Sequence, residues 1–132
     1  MVLVDSHCHL DMLTEYDSHD NIVKRALESN VNYIQTICTR LEDISKILAI
    51  AENYTNVFTS VGIHPSEVNK LITTQELTKL TKHPKVIGLG ETGLDYYYNK
   101  DNSQQQLQRK SFEEHIKTSC ESNLPVIVHT RA

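Results

Sequence analysis

The chain has 132 residues, of which 39% are apolar and 23% charged, and carries a formal charge of −4. These values make a single domain with a real core the expectation, and they argue against a broadly basic face for nucleic acid. No apolar run approaches the ~20 residues needed to cross a membrane. The start, MVLVDSHC, lacks the basic and long apolar regions of a signal peptide, so a cytoplasmic location is expected. Cys8, Cys38 and Cys120 are odd in number and widely spaced, which fits reduced buried thiols better than a disulfide framework.

In chain order, Val2 to Asp5 reads as a buried strand. A helix is expected over Asp17 to Asn30, with Asp17 and Asp20 as a capping pair and Ile22, Val23, Ala26 and Leu27 as its apolar stripe. Val31 to Cys38 reads as a second strand. Thr39 and Glu42 have capping-box spacing ahead of a helix that carries Leu41, Ile44, Leu48 and Ala51 and ends near Asn53.

Asn56 to Ile63 reads as a third strand, followed by His64-Pro65. Thr73 and Glu76 repeat the capping-box spacing before a shorter helix limited by Pro84. Val86 to Gly90 reads as a fourth strand that ends at Glu91, with a loop of Gly93 and three tyrosines after it. Ser103 and Gln106 suggest a third capping box, opening a helix to about Glu121 with Leu107, Ser111, Ile116 and Cys120 near its buried side. Pro125 to His129 is the fifth strand.

Short apolar strands alternating with amphipathic helices indicate an α/β fold with a parallel sheet. Periodicity leaves two architectures open: an open α/β sandwich, or part of an eight-stranded β/α barrel.

Polar residues collect where the strands end. Asp5, His7 and His9 follow the first, His64 the third, Glu91 the fourth and His129 the fifth. In parallel α/β folds these carboxyl ends share one face, where active sites lie. His7 and His9 are two apart, so an extended backbone turns both imidazoles to one side. Imidazoles and a carboxylate converging in this way suit a catalytic metal with an open water position. Cys8 alternates with the histidines and is expected to point away from them. Asp5 either hydrogen-bonds a ligating imidazole or caps local backbone. Asp11 is expected to order its loop.

His64 either meets substrate or phosphate, or shapes the turn. Asp95 either supports its loop or contacts substrate. Arg131 could meet phosphate. Tyr96, Tyr97 and Tyr98 either stack on bases or pack their loop. His19, His83 and His115 are assigned to the surface, and Lys79, Lys82 and Lys85 to a solvated face.

Three ordered segments, LVDSHCHLD, GETGLDYYY and PVIVHTRA, closely resemble the TatD family of metal-dependent deoxyribonucleases, within the amidohydrolase-like barrel superfamily. The resemblance spans the whole chain. It implies a (β/α)8 TIM-type barrel, here with about its first five strands and four helices, so that residues 1–132 form the amino-terminal part of one barrel domain. It implies two divalent cations (Mg, Mn or Zn) and hydrolysis of DNA phosphodiester bonds, often 3′ to 5′. It also implies His7 and His9 as ligands of a first metal, Glu91 as the bridging carboxylate and His129 as a ligand of the second.

The family pattern adds a histidine after a sixth strand and an aspartate after an eighth, regions this sequence does not contain. The expectation is therefore a fragment of low or no activity alone, with a complementary carboxy-terminal fragment as a candidate partner beside DNA. Two other readings stay open: a metal hydrolase of a small amide, ester or lactone, and a non-catalytic remnant.

Overall fold

The computed structural model describes residues 1–131; Ala132, which closes the third motif, lies outside the described residues. Five strands and four helices alternate: β1 (Leu3–Cys8), α1 (His19–Glu28), β2 (Val31–Thr36), α2 (Ile44–Glu52), β3 (Val57–Val61), α3 (Thr74–Leu80), β4 (Val86–Asp95), α4 (Asn102–Ser122) and β5 (Val126–Arg131). The strands form one sheet in the order β1-β2-β3-β4-β5, and every neighbouring pair is parallel.

That order separates the two architectures left open by the sequence. A doubly wound sandwich reverses its strand order at a switch point. A barrel adds each strand beside the last, and right-handed crossovers then put the helices on one face. The chain is a curled half-barrel of this second kind. It contains no helix long and apolar enough to cross a membrane among the described residues.

The apolar core lies between sheet and helices. Val23 of α1, Ile34 of β2, Ile50 and Ala51 of α2 and Val57 of β3 form one buried cluster with Leu10. Val61, Val86 and Leu89 form another, covered by Ile44, Leu48 and Leu80. The sheet also leaves apolar side chains in solvent, among them Val4 on β1, Tyr33 on β2 and Val128 on β5.

Local signals were resolved unevenly. Thr73 and Glu76 make the expected capping box at α3. The other two boxes do not form. Thr39 is engaged through its carbonyl, which accepts the His64 N–H at 2.8 Å, and a 3-10 turn over Leu41–Asp43 precedes α2. Asp101, not Ser103, caps α4 by accepting from the Gln104 N–H. At α1 the cap is Ser18, while Asp17 is held outside the helix by Arg25, Asn21 and the Ser18 N–H.

The largest departure concerns α4. Cys120 and Ile116 are exposed, and the residues actually buried are Gln108, Ser111, His115 and Thr118. These four positions share one helical face, spaced three, four and three residues apart. Thus His115 is not at the surface, and not every thiol is buried. His19 and His83 are also partly covered: His19 Nε2 lies 2.9 Å from the Leu10 carbonyl, and His83 pairs with Glu52. Lys85 leaves the expected solvated cluster to donate to the carbonyls of Tyr54 and Val57.

Candidate metal centre

Glu91 does not terminate its strand. β4 continues to Asp95 because Thr92 to Asp95 pair with Val128 to Arg131 of β5. The extension depends on glycine. Gly90 and Gly93 have φ of +139° and +138°, values side chains rarely tolerate. A Cβ on Gly93 would lie 2.1 Å from the His129 carbonyl oxygen, and one on Gly90 would lie 2.4 Å from that of Ile127. The Glu91 N–H donates to the Cys38 carbonyl beyond β2 at 2.9 Å, which sets the carboxylate near the middle of the site.

Two groups of side chains meet on that carboxylate. His7, His9 and Glu91 offer ligand atoms within 4.8 Å of one another, and so do His64, Glu91 and His129. Each group takes its own oxygen: Glu91 Oε2 lies 3.4 Å from His7 Nε2, and Oε1 lies 3.1 Å from His129 Nδ1. Neighbouring ligands about 2.1 Å from one ion are separated by roughly 3 to 3.5 Å, so this donor set suits a divalent cation in each group.

Hydrogen bonding agrees with that fit. His129 Nε2 lies 3.2 Å from Asp95 Oδ2, and the tautomer with its proton on this nitrogen donates to that carboxylate and leaves Nδ1 free for a cation. Nδ1 then presents a lone pair to Glu91 Oε1, itself an acceptor, with His64 Nε2 also 3.1 Å away. Two acceptors at this distance need positive charge between them, supplied by a proton or by a cation. An imidazole oriented by an acid on its far side is the usual arrangement of a metal-bound histidine.

The remaining candidates divide. His64, expected at substrate or in the turn, instead joins a cation-ready group. Its ring reaches the second group while its Nδ1 lies 2.7 Å from Ser66 Oγ. Burial, and then the neighbouring His129, hold its pKa below the usual imidazole value. Asp95 is buried and meets His129. Asp5 accepts from the main-chain N–H of His7 at 3.1 Å, so it supports that residue through backbone and not through the ring.

His9 Nδ1 lies 3.3 Å from the Ile37 carbonyl. Cys8 points its thiol to the Gln35 carbonyl and belongs to neither group; burial, followed by the charge of Asp5, pushes the thiol up to about 12. Asp11 is buried with Oδ1 unpaired. Arg131 stacks over Tyr98, 5.4 Å from the ring centre, and Tyr97 meets Tyr98 edge to face.

Two site supports escaped sequence reasoning, both on the polar face of α4. Gln108 pairs with the main chain of Asp95, and His115 Nε2 accepts the Ile63 N–H at 3.2 Å, next to His64. Their seven-residue separation, two helical turns, was the available signal. It is invisible to a search for apolar stripes.

A parallel half-barrel with two cation-ready groups sharing one acid at the carboxyl ends of its strands defines a metal-dependent hydrolase scaffold of the amidohydrolase type. Residues 4–132 match the family model described as TatD related DNase, and the chain belongs to that family. It is 40% identical over 138 residues to an uncharacterized metal-dependent hydrolase of Buchnera aphidicola subsp. Baizongia pistaciae, covering 99% of this chain and 50% of that one. It is 38% identical over 134 residues to YcfH of Escherichia coli K12, also an uncharacterized metal-dependent hydrolase, again over 99% of this chain and 50% of the relative.

The crystal structure of YjjV, a TatD homolog from Escherichia coli K12, superposes with a TM-score of 0.82 at 31% identity, covering 98% of this chain and 51% of that one. A TatD-family hydrolase from Entamoeba histolytica shares the fold, with a TM-score of 0.79 at 23% identity. The chain spans about half the length of the relatives it matches.

Proposed function

We propose that this chain provides the metal-holding, amino-terminal part of a barrel hydrolase that cleaves phosphodiester bonds in DNA, working from the 3′ end. The observation that carries this reading is the Glu91 carboxylate, whose two oxygens serve two groups of imidazoles. In this reading His7, His9 and Glu91 would hold one divalent cation, and Glu91 and His129, joined by His64, would hold the other. A paired site of this kind lowers the pKa of a bound water and offsets charge on the leaving oxygen.

The chain's own residues bind and orient. His129, its ring held on the far side by Asp95, would present Nδ1 to the second position. Arg131 carries a fixed positive charge for phosphate beside the exposed rings of Tyr97 and Tyr98, which suit stacked bases. The family description as a DNase supports the choice of substrate over a small amide, ester or lactone. The further ligands belong to the other half of such a barrel, carried on the same polypeptide or on a complementary one. A cytoplasmic location accords with this reading.

The test is metal content by mass spectrometry, then hydrolysis of end-labelled single-stranded DNA by the chain with and without the complementary half of a relative. Chelator-sensitive release of nucleotides from the 3′ end is expected. A folded, metal-loaded assembly that spares DNA and cleaves a lactone or amide panel would replace the nuclease reading.

A further inference from the structure

We propose that Gln108 is a positioning residue for the second cation position, acting through Asp95 on His129; the inference rests on the metal reading above. Gln108 is 1% exposed in the middle of a helix face that an apolar residue would fill at lower cost. Its amide is fully used. Oε1 accepts the Asp95 N–H at 2.9 Å and Nε2 donates to the Asp95 carbonyl at 3.1 Å.

This pairing occupies a gap in the sheet. β3 pairs with β4 only as far as Leu89, so the later part of β4 has β5 on one side and no strand on the other. The Gln108 amide takes the place of that strand at one residue. It does so at Asp95, whose carboxylate is buried and bonds His129 Nε2. The line from helix to ligand is thus Gln108 to Asp95 main chain, Asp95 carboxylate to imidazole, imidazole Nδ1 to the Glu91 oxygen. Every link spans 3.2 Å or less, between groups that are buried or nearly so.

Groups beyond the direct ligands commonly change metal affinity by about ten- to a hundredfold. Gln108 stands one step further out, so a loss of about tenfold is expected. Gln108→Met keeps the side chain's length and removes both bonds. In the full chain, its Mn²⁺ affinity should fall about tenfold at one of two sites, read by calorimetry. The ring-nitrogen resonances of His129 should lose the pattern of a proton fixed on Nε2. Val23→Ala, in the apolar cluster under α1, serves as a control that loses stability without touching this line.

A Gln108→Met chain with unchanged ring resonances overturns the proposal, and so does a Val23→Ala chain with the same changes. Should Gln108→Met not fold, Gln108→Glu retains the acceptor for the Asp95 N–H, and the same resonances decide. If the unaltered chain takes up no Mn²⁺, the metal reading fails, while the His129 resonances still decide the role of Gln108.

Discussion

The two groups around Glu91 are built in opposite ways. The His7 side chain is 43% exposed, and its group rests on a local motif: two histidines two residues apart, one N–H held by Asp5, one ring against the Ile37 carbonyl. The His129 side chain is 15% exposed, and its group is braced by a buried acid, by Ser66 and by the far side of α4. A local motif supplies donor atoms and little constraint. Donors gathered from separate strands are constrained by the packing that gathers them. The open group should therefore exchange its ion readily, and the braced group should discriminate between ions.

Removing what the groups share should have the largest effect. Glu91→Ala should lower the affinity for both cations by more than about a hundredfold, measured by Mn²⁺ titration. One ion still bound at the original affinity would mean that the groups do not share an acid. Gly93→Ala comes next. Its Cβ would collide with the His129 carbonyl at a φ that disfavours any side chain, so a loss of about 2–4 kcal/mol is expected in urea unfolding, with the braced group lost first.

Truncating one histidine from each group sharpens the contrast. His129→Ala leaves the buried Asp95 carboxylate without its ring partner and should cost about 1–3 kcal/mol. His7→Ala, at a half-exposed ring, should stay within about 0.5 kcal/mol. Equal losses in thermal or urea unfolding would erase the distinction between the groups.

A further effect is that of pH, through the brace and not the ligands. His115 is fully buried, and desolvation holds its pKa below the usual value near 6.5. The unfolded chain takes up that proton as pH falls through about 6.5, while the folded chain does not until its own lower pKa. Stability should therefore decline from about pH 6.5 downward, by at most about 1.4 kcal/mol per pH unit for one proton, and level off below the folded value. His115→Phe should flatten that part of the profile.

Much of this was legible in advance. Alternating strands and helices, the shared side of His7 and His9, and the cap of α3 follow from spacing, and the parallel order of the strands brings Glu91 and His129 to the same end. The length of β4 did not, because two glycines inside a strand resemble a loop until a neighbouring strand is seen to crowd them. Nor did the face of α4. Apolar patterning assumes that helices bury hydrocarbon, whereas this one buries Gln108, Ser111, His115 and Thr118. The bond between His64 and His129 was equally hidden, since nothing in the sequence near either residue points to the other.

That reach along the chain bears on how the molecule forms. His64 stands 65 residues before His129, Glu91 stands 38 before it, and Ile63 meets His115 across 52. Loops of such length close at an entropic cost that is met before their contacts form, which delays them during refolding. On a ribosome the order is stricter still: the pair of histidines on the first strand emerges early and waits for the strand bearing its acid, and His129 reaches the deeper pocket only with the fifth strand. Time-resolved refolding should find the cluster under α1 ordered well before the imidazoles of the later strands meet.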